Sequence, residues 1–387
     1  MDDGTAGISG QNAGEQTVLT PKAGGWRNLL ANLALVAGSV LITLMLCEGV
    51  LFRYIFIPSD VPENVFMDGL VRLRPGDTGV WRVGDDVAGL YRINAQGWNS
   101  GHASYETTAP GGMRRIAIIG DSFVEALQAP YNASLAELLE GTDKNLQVYR
   151  FGISGAPLSH YLAMARYVAQ TYHPDRIVML LVHNDFDESF SAVPGRYTSS
   201  FLKLRMQGDQ VAGEIPPVPY HSDWRDRLRQ TATLRYLYYR QKLDLSALRS
   251  VYTRQAAPVY QANVAVDAIT QQRHTVINAT DYLFSEFETL SRQYGFEPLL
   301  MMDGDRRSIA AGLDSAPLYR DGALWLNAMA SQMAKKHGID FVDLHPVFEA
   351  DWRMHHQPLN FVSDNHWNER SHQIAADALA QYLAANP

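Results

Sequence analysis

The stretch Arg115-Ile-Ala-Ile-Ile-Gly-Asp-Ser-Phe123 decides how this chain is read. Ile116–Ile119 is an apolar run suited to a buried parallel strand, and it stops at Gly120-Asp121-Ser122. A serine at the carboxyl end of such a strand, just ahead of a helix, stands where a nucleophile can meet substrate and helix-terminal amides. Asp and Ser are also ordinary helix N-caps, so the tripeptide by itself carries either reading.

Working outward, the same strand-loop-helix rhythm repeats from residue 113 onward. Further buried-strand runs are Gln147–Phe151, Arg176–Val182, Pro298–Met302 and Asp340–Leu344. Helical patterns fall at Ser134–Glu140, Ser159–Thr171, Ala279–Tyr294, Leu318–His337 and Glu369–Ala385. This alternation predicts an α/β domain, a mostly parallel sheet between helical layers, over residues 113–387. Residues 190–275 interrupt it with no clear strand and read as a helical insertion. Its segment Asp223–Ser246 has helical spacing, many aromatics, five arginines and Lys242. A Leu and Tyr stripe there fits packing on the main domain, whereas the basic residues fit a lid, a partner or a membrane surface. Residues 58–112 are rich in Gly, Pro, Asp and Arg, with short strand-like pieces such as Gly89–Ile93, and read as an irregular segment wrapped on the domain.

The amino-terminal end differs in kind. Residues 1–27 have no apolar periodicity and read as a disordered tail. From Asn28 to Cys47 the chain is uncharged and mostly apolar for about 20 residues, the length of one bilayer crossing. A signal peptide would have a shorter apolar region and a small-residue cleavage site, and Leu44-Met45-Leu46 ahead of Cys47 does not supply the small residue of a lipoprotein site. Residues 28–57 are therefore expected to be an uncleaved anchor with an aromatic interfacial belt at Phe52–Phe56. Lys22 and Arg27 before the span lean towards a cytoplasmic amino terminus, with the carboxyl-terminal domain on the far side of the inner membrane, in the periplasm.

Composition narrows the rest. A 46% hydrophobic and 19% charged chain of 387 residues can bury a large core. A net charge of -8 gives no general reason to expect nucleic acid as a partner. Cys47 is the only cysteine, which excludes an intrachain disulfide and a cysteine-based zinc cluster. Adjacent His355 and His356 do not face the same way on a helix and lack supporting carboxylates, so no metal is expected.

Four loops follow strands or precede the last helix and would converge at one sheet edge. They are Gly120-Asp121-Ser122, Phe151-Gly-Ile-Ser-Gly155, Leu181-Val-His-Asn184-Asp185 and Ser363-Asp364-Asn365-His366-Trp367-Asn368. Their residue types fit acyl transfer. A serine hydroxyl needs a base, which His366 can be; the imidazole needs a carboxylate to fix its tautomer, and Asp364 is nearest. The backbone amides of Ser122 and Gly155 and the side chain of Asn184 could donate to a tetrahedral oxyanion. His183 and His372 are expected to be incidental, and Asp303-Gly304-Asp305 is a turn with no assigned role.

These four blocks, in this order, resemble those of the SGNH (GDSL-type) hydrolase superfamily. The resemblance implies a three-layer α/β/α, flavodoxin-like fold with Ser122 as nucleophile, His366 and Asp364 as base and acid, and Ser122, Gly155 and Asn184 as the oxyanion hole. It implies no cofactor. Three departures stand out: Val182 replaces a usual glycine, Arg150 replaces a common asparagine, and the acid lies two residues before the histidine because Ser363 holds the usual Asp position. The Asp364-x-His366-Trp367-Asn368 spacing is similar to that of SGNH-like proteins that acylate extracellular polysaccharides, such as the alginate O-acetylation proteins.

The expectation is a membrane-anchored serine esterase acting on O-acyl, chiefly acetyl, esters of a cell-envelope or exported glycan. The same residues serve an O-acyltransferase that receives acyl groups through a polytopic membrane partner, and the chemistry is shared up to the acyl-enzyme. A catalytically silent domain that binds glycan or scaffolds an assembly is a third reading.

Overall fold

The computed structural model describes residues 25–191, 197–243 and 260–386. Two compact units divide the chain, Met1–Ile55 and Phe56–Pro387. In the first, helix α1 (Gly25–Leu46) continues as a π-helical stretch, Cys47–Ile55. Over Trp26–Ile55 this helix is long and apolar enough to cross a membrane, and none of its most apolar stretch is buried by protein. Residues 1–24 of the expected tail lie outside the described residues.

In the second unit five strands form one all-parallel sheet: β1 (Arg114–Gly120), β2 (Leu146–Gly152), β3 (Arg176–Leu181), β4 (Glu297–Met302) and β5 (Asp340–Asp343). Their spatial order is β5-β4-β3-β1-β2. Read from the other edge this is 2-1-3-4-5, the flavodoxin-like winding, whose switch point lies between β1 and β3.

Alternation along β1 shows how both faces are covered. Ala117 and Ile119 join one buried cluster with helices α4 (Leu158–Tyr172), α5 (Arg273–Tyr294) and α6 (Trp325–Lys336). Ile116 and Ile118 join the other, with α3 (Leu135–Glu140), α7 (Leu344–His355) and α8 (Glu369–Ala385). The result is a three-layer α/β/α domain with flavodoxin-like strand order, the architecture that its strand runs predict.

Three expectations are corrected. The insertion is not purely helical: Lys203–Gln207 pairs antiparallel with Gln210–Ile215, around a Gly208-Asp209 turn. The segment from Asp223 is not one helix but Trp224–Arg229, then Ala232–Leu234 running into a π turn, Arg235–Arg240; residues 244–259 lie outside the described residues. The pattern Leu318–His337 divides into Ser315–Asp321 and α6, with Gly322 capping the first helix.

Residues 58–112 hold two hairpins, Asn64–Met67 with Leu70–Leu73 and Thr78–Val83 with Val87–Arg92. They meet the insertion directly. Arg235 Nη1 donates to Ser59 O and Asp60 Oδ1, both at 3.0 Å, and Gly84 N donates to Arg240 O at 2.7 Å. The insertion therefore packs on this segment.

Candidate functional site

Because β1 lies between β2 and β3, the loop after β1 is flanked by the loops after both neighbours. Ser122 opens the short helix α2 (Ser122–Glu125), and Asp121 caps it by accepting from Phe123 N at 2.9 Å. Both readings of the tripeptide therefore coexist: the aspartate caps, and the serine hydroxyl is left for other partners.

That partner is His366. Its Nε2 lies 2.8 Å from Ser122 Oγ, and its Nδ1 hydrogen-bonds Asp364 Oδ1. The two-residue spacing works because Asp364 Oδ1 also accepts His366 N at 3.1 Å, so one oxygen closes an Asx turn and holds the ring of the residue that turn presents. Ser363 takes another path, bonding Val83 O and Asp86 in the hairpin segment.

The imidazole is fixed on further sides. Phe123 packs against it with ring centroids 4.9 Å apart. The following Trp367 donates its indole N–H to Asp303 Oδ1 at 2.9 Å, and Arg306, paired with Asp303, donates to Asn365 O at 2.9 Å. Asn368 caps α8 through Ser371 N at 3.1 Å. The Asp303 turn, unassigned in the sequence, thus holds the histidine loop.

Lys242 is the residue that sequence reasoning does not place. Its Nζ lies 2.8 Å from Asp364 Oδ2, so the insertion reaches the carboxylate behind His366. Burial pushes the Asp364 carboxyl up, but the hydrogen bond and charge of His366, and then of Lys242, outweigh it and hold the group well below the usual carboxylate range. Asp364 therefore stays ionised wherever the protein is folded near neutral pH.

The expected oxyanion donors stand on either side. Gly155 occupies the turn Ile153–Ala156, closed by Ala156 N to Ile153 O at 3.1 Å, and its φ of 74° suits glycine. The turn is held to the β1 loop by Ile153 N donating to Gly120 O at 3.3 Å. Asn184 stands at the N-cap position of the short helix Asp185–Glu188 after β3, where burial raises Glu188 to about 7 against the opposing pull of Asn184.

Behind the serine lie three buried carboxyls, Asp121, Glu125 and Asp185. Burial raises Asp121 to about 6, opposed by the Phe123 N–H and His366. Burial raises Glu125 to about 7, opposed by the Ser154 hydroxyl that bonds it. Asp185 is pushed well above its usual range by burial and by Asp121, while accepting from Tyr161 Oη at 2.8 Å and Val182 N at 2.6 Å.

The departures from the family pattern have structural partners. Val182 is fully buried in the second core cluster, and Arg150 is buried with its Nη2 donating to Tyr131 O at 3.1 Å and its Nε 3.3 Å from Glu137. His183 is buried against Asn327 Oδ1 at 2.9 Å, and His372 Nδ1 accepts from Leu135 N at 3.3 Å; burial lowers both, the latter to about 3. His355 faces Asp351 on its own helix at 3.1 Å.

Fold and loops together place a Ser–His–Asp constellation at the carboxyl edge of a parallel α/β/α sheet. Solved structures similar to the chain include a member of the lipolytic G-D-S-L family from Veillonella parvula, 15% identical over 70% of this chain and 98% of that one, with a TM-score of 0.34. An acetyl xylan esterase, AlAXEase, is 10% identical over 70% of this chain and 99% of that one, with a TM-score of 0.36. A catalytic mutant of the acetylxylan esterase Axe2 from Geobacillus stearothermophilus is 15% identical over 71% and 95%, with a TM-score of 0.36. No family model and no curated protein matches the chain.

Proposed function

We propose that this chain is a membrane-anchored serine esterase that removes O-acyl groups, chiefly acetyl, from a glycan of the cell envelope. The observation that carries this reading is the contact of Ser122 Oγ with His366 Nε2 at 2.8 Å, with Asp364 behind the ring. Ser122 Oγ attacks the ester carbonyl carbon while His366 Nε2 takes its proton. Negative charge gathers on the carbonyl oxygen, where the amides of Ser122 and Gly155 and the side chain of Asn184 would donate. Collapse breaks the bond to the alcohol, which leaves with the proton from His366, and an acyl-serine remains. Water, deprotonated by the same imidazole, releases the acid and restores the serine.

The Asp364-x-His366-Trp367-Asn368 block favours a second reading, in which a sugar hydroxyl replaces water and a polytopic membrane protein supplies the acyl group. In either reading α1 spans the inner membrane with its amino terminus in the cytoplasm, and the domain from Phe56 onward works in the periplasm.

Full-length protein in detergent tests the shared step with p-nitrophenyl acetate and a serine-directed fluorophosphonate. The parent should hydrolyse the ester and take up one label at Ser122. Ser122→Ala should lose the label, and its turnover should drop by roughly four orders of magnitude or more. A parent that neither takes the label nor hydrolyses the ester would leave the domain as a binder rather than an enzyme, and an Ala variant as active as the parent would remove Ser122 from the nucleophile's role.

A further inference from the structure

Beside the serine loop opens a cleft of about 770 Å³. Its floor includes Glu125, the last residue of the helix that begins at Ser122, and Ser154, the residue before Gly155. The cleft therefore reaches to within one helical turn of the nucleophile. Neither wall belongs to the sheet or its covering helices. One comes from residues 61–81 and carries Trp81, and the other comes from the insertion and carries Tyr220, Asp223, Arg229 and Tyr238.

The two walls are fastened to one another, which makes the cleft a built feature. Trp81 and Tyr239 meet edge to face with centroids 5.6 Å apart, and Arg235 ties the insertion to Ser59 and Asp60. The same two segments hold the catalytic loop, through Asp86 to Val362 and Ser363 and through Lys242 to Asp364. A chain lying in the cleft would touch the elements that fix the acid and the base.

The lining selects the chemistry of the occupant. Aromatic rings offer flat faces for the C–H face of a sugar ring, while Asp223, Arg229 and the tyrosine hydroxyls offer donors and acceptors to its hydroxyls. A long acyl chain would instead strip water from these charged and hydroxyl groups and offer them no hydrogen bond in return. A nucleic acid strand would meet Asp223 among the cations.

From this we infer that the cleft binds the unmodified sugars adjoining the acylated one, so that the enzyme recognises a glycan chain rather than an isolated ester. The inference rests on the esterase reading above, and its test separates the two. Tyr238, 53% exposed, can be truncated without opening the core. Full-length parent, Tyr238→Ala, Trp81→Ala and the conservative Trp81→Phe are assayed on p-nitrophenyl acetate and on chemically O-acetylated xylan and cellulose oligosaccharides. The Ala variants should raise KM for at least one oligosaccharide by about tenfold more than for the small ester, with kcat little changed, and Trp81→Phe should recover most of the difference.

Binding is read without turnover by titrating Ser122→Ala with the unacetylated oligosaccharides and following tryptophan fluorescence. Saturation that disappears in the Ser122→Ala, Tyr238→Ala double variant supports the site even if the parent hydrolyses nothing. Equal losses on small and oligosaccharide esters, no binding by either glycan, or a selective loss on long-chain acyl esters would overturn it.

Discussion

Asp364 answers two partners at once, and this is the residue on which the site turns. Oδ1 serves the His366 ring and backbone, and Oδ2 serves Lys242 from a segment 122 positions earlier in the chain. Lys242 is about half exposed, so its share of the electrostatics is screened and modest, whereas the His366 contact is sheltered. Glu125 is the opposite case, a carboxyl kept from ionising by burial. Its folded pKa of about 7 lies above its ordinary 4.5, so the folded state holds the proton more tightly than the unfolded one. That contribution to stability is fully present below pH 4.5 and is lost as pH rises through about 7. Glu125→Gln keeps the acceptor for Ser154 and carries no charge, so it should gain on the parent by about 3 kcal/mol between pH 5 and pH 8. Urea unfolding at both values measures the gap, and a gap that does not change with pH would place the ionisation elsewhere.

At the scale of elements, the serine helix and strand β2 touch backbone to backbone. A Cβ at Gly152 would stand 2.0 Å from Glu125 N and 2.5 Å from Val124 C, with no flexible side chain to yield. Gly152→Ala must therefore push β2 and the helix of Ser122 apart, lowering stability by about 3 kcal/mol and removing most esterase activity. At Gly155 a Cβ would meet open space, and only its φ of 74° opposes alanine, a cost of about 1 kcal/mol. The ordering is the test: denaturant midpoints that fall further for Gly155→Ala than for Gly152→Ala would refute the close approach. These elements also show what the sequence discloses. Strands β1, β3 and β4 are readable because each carries an unbroken apolar run ending in turn residues. Strands β2 and β5 are readable from shorter apolar pieces broken by Arg150 or bounded by Asp340 and Asp343, and α8 from Asn368 before its periodic stripe. The Lys203–Ile215 hairpin carries a signal too, alternation around Gly208-Asp209, hidden because its sides are short and half solvated. Helix α7 begins inside an expected strand because Asp343 turns to cap His345 N at 3.0 Å. The contacts of Lys242 with Asp364 and of Asp303 with Trp367 have no local signal, since each joins residues that only the fold brings together.

The whole molecule divides its labour by solvent. Both buried clusters draw all their residues from the unit Phe56–Pro387, on the two faces of one sheet. In α1 and its π continuation the side chains point outward as a mostly apolar surface: Leu30, Leu33, Val36, Leu41 and Leu44 are each more than half exposed. On the proposed membrane reading such a helix gains its burial from lipid, not from a protein core, and adds little to the folding free energy of the domain. Removing residues 1–55 should then leave a soluble domain whose Tm differs from that of the full-length protein in detergent by less than about 2 °C, because a lost contact worth 1 kcal/mol would shift it by about that much or less in a domain this large. Hydrolysis of p-nitrophenyl acetate should survive, while sedimentation with phospholipid vesicles should be lost. If the proposed function holds, the same truncation should slow deacetylation of a glycan held at the membrane more than that of a free oligosaccharide, since an anchor raises the local concentration of enzyme near its substrate. A truncated domain that unfolds well below the parent, or that still sediments with vesicles, would mean that residues beyond α1 carry part of the membrane contact.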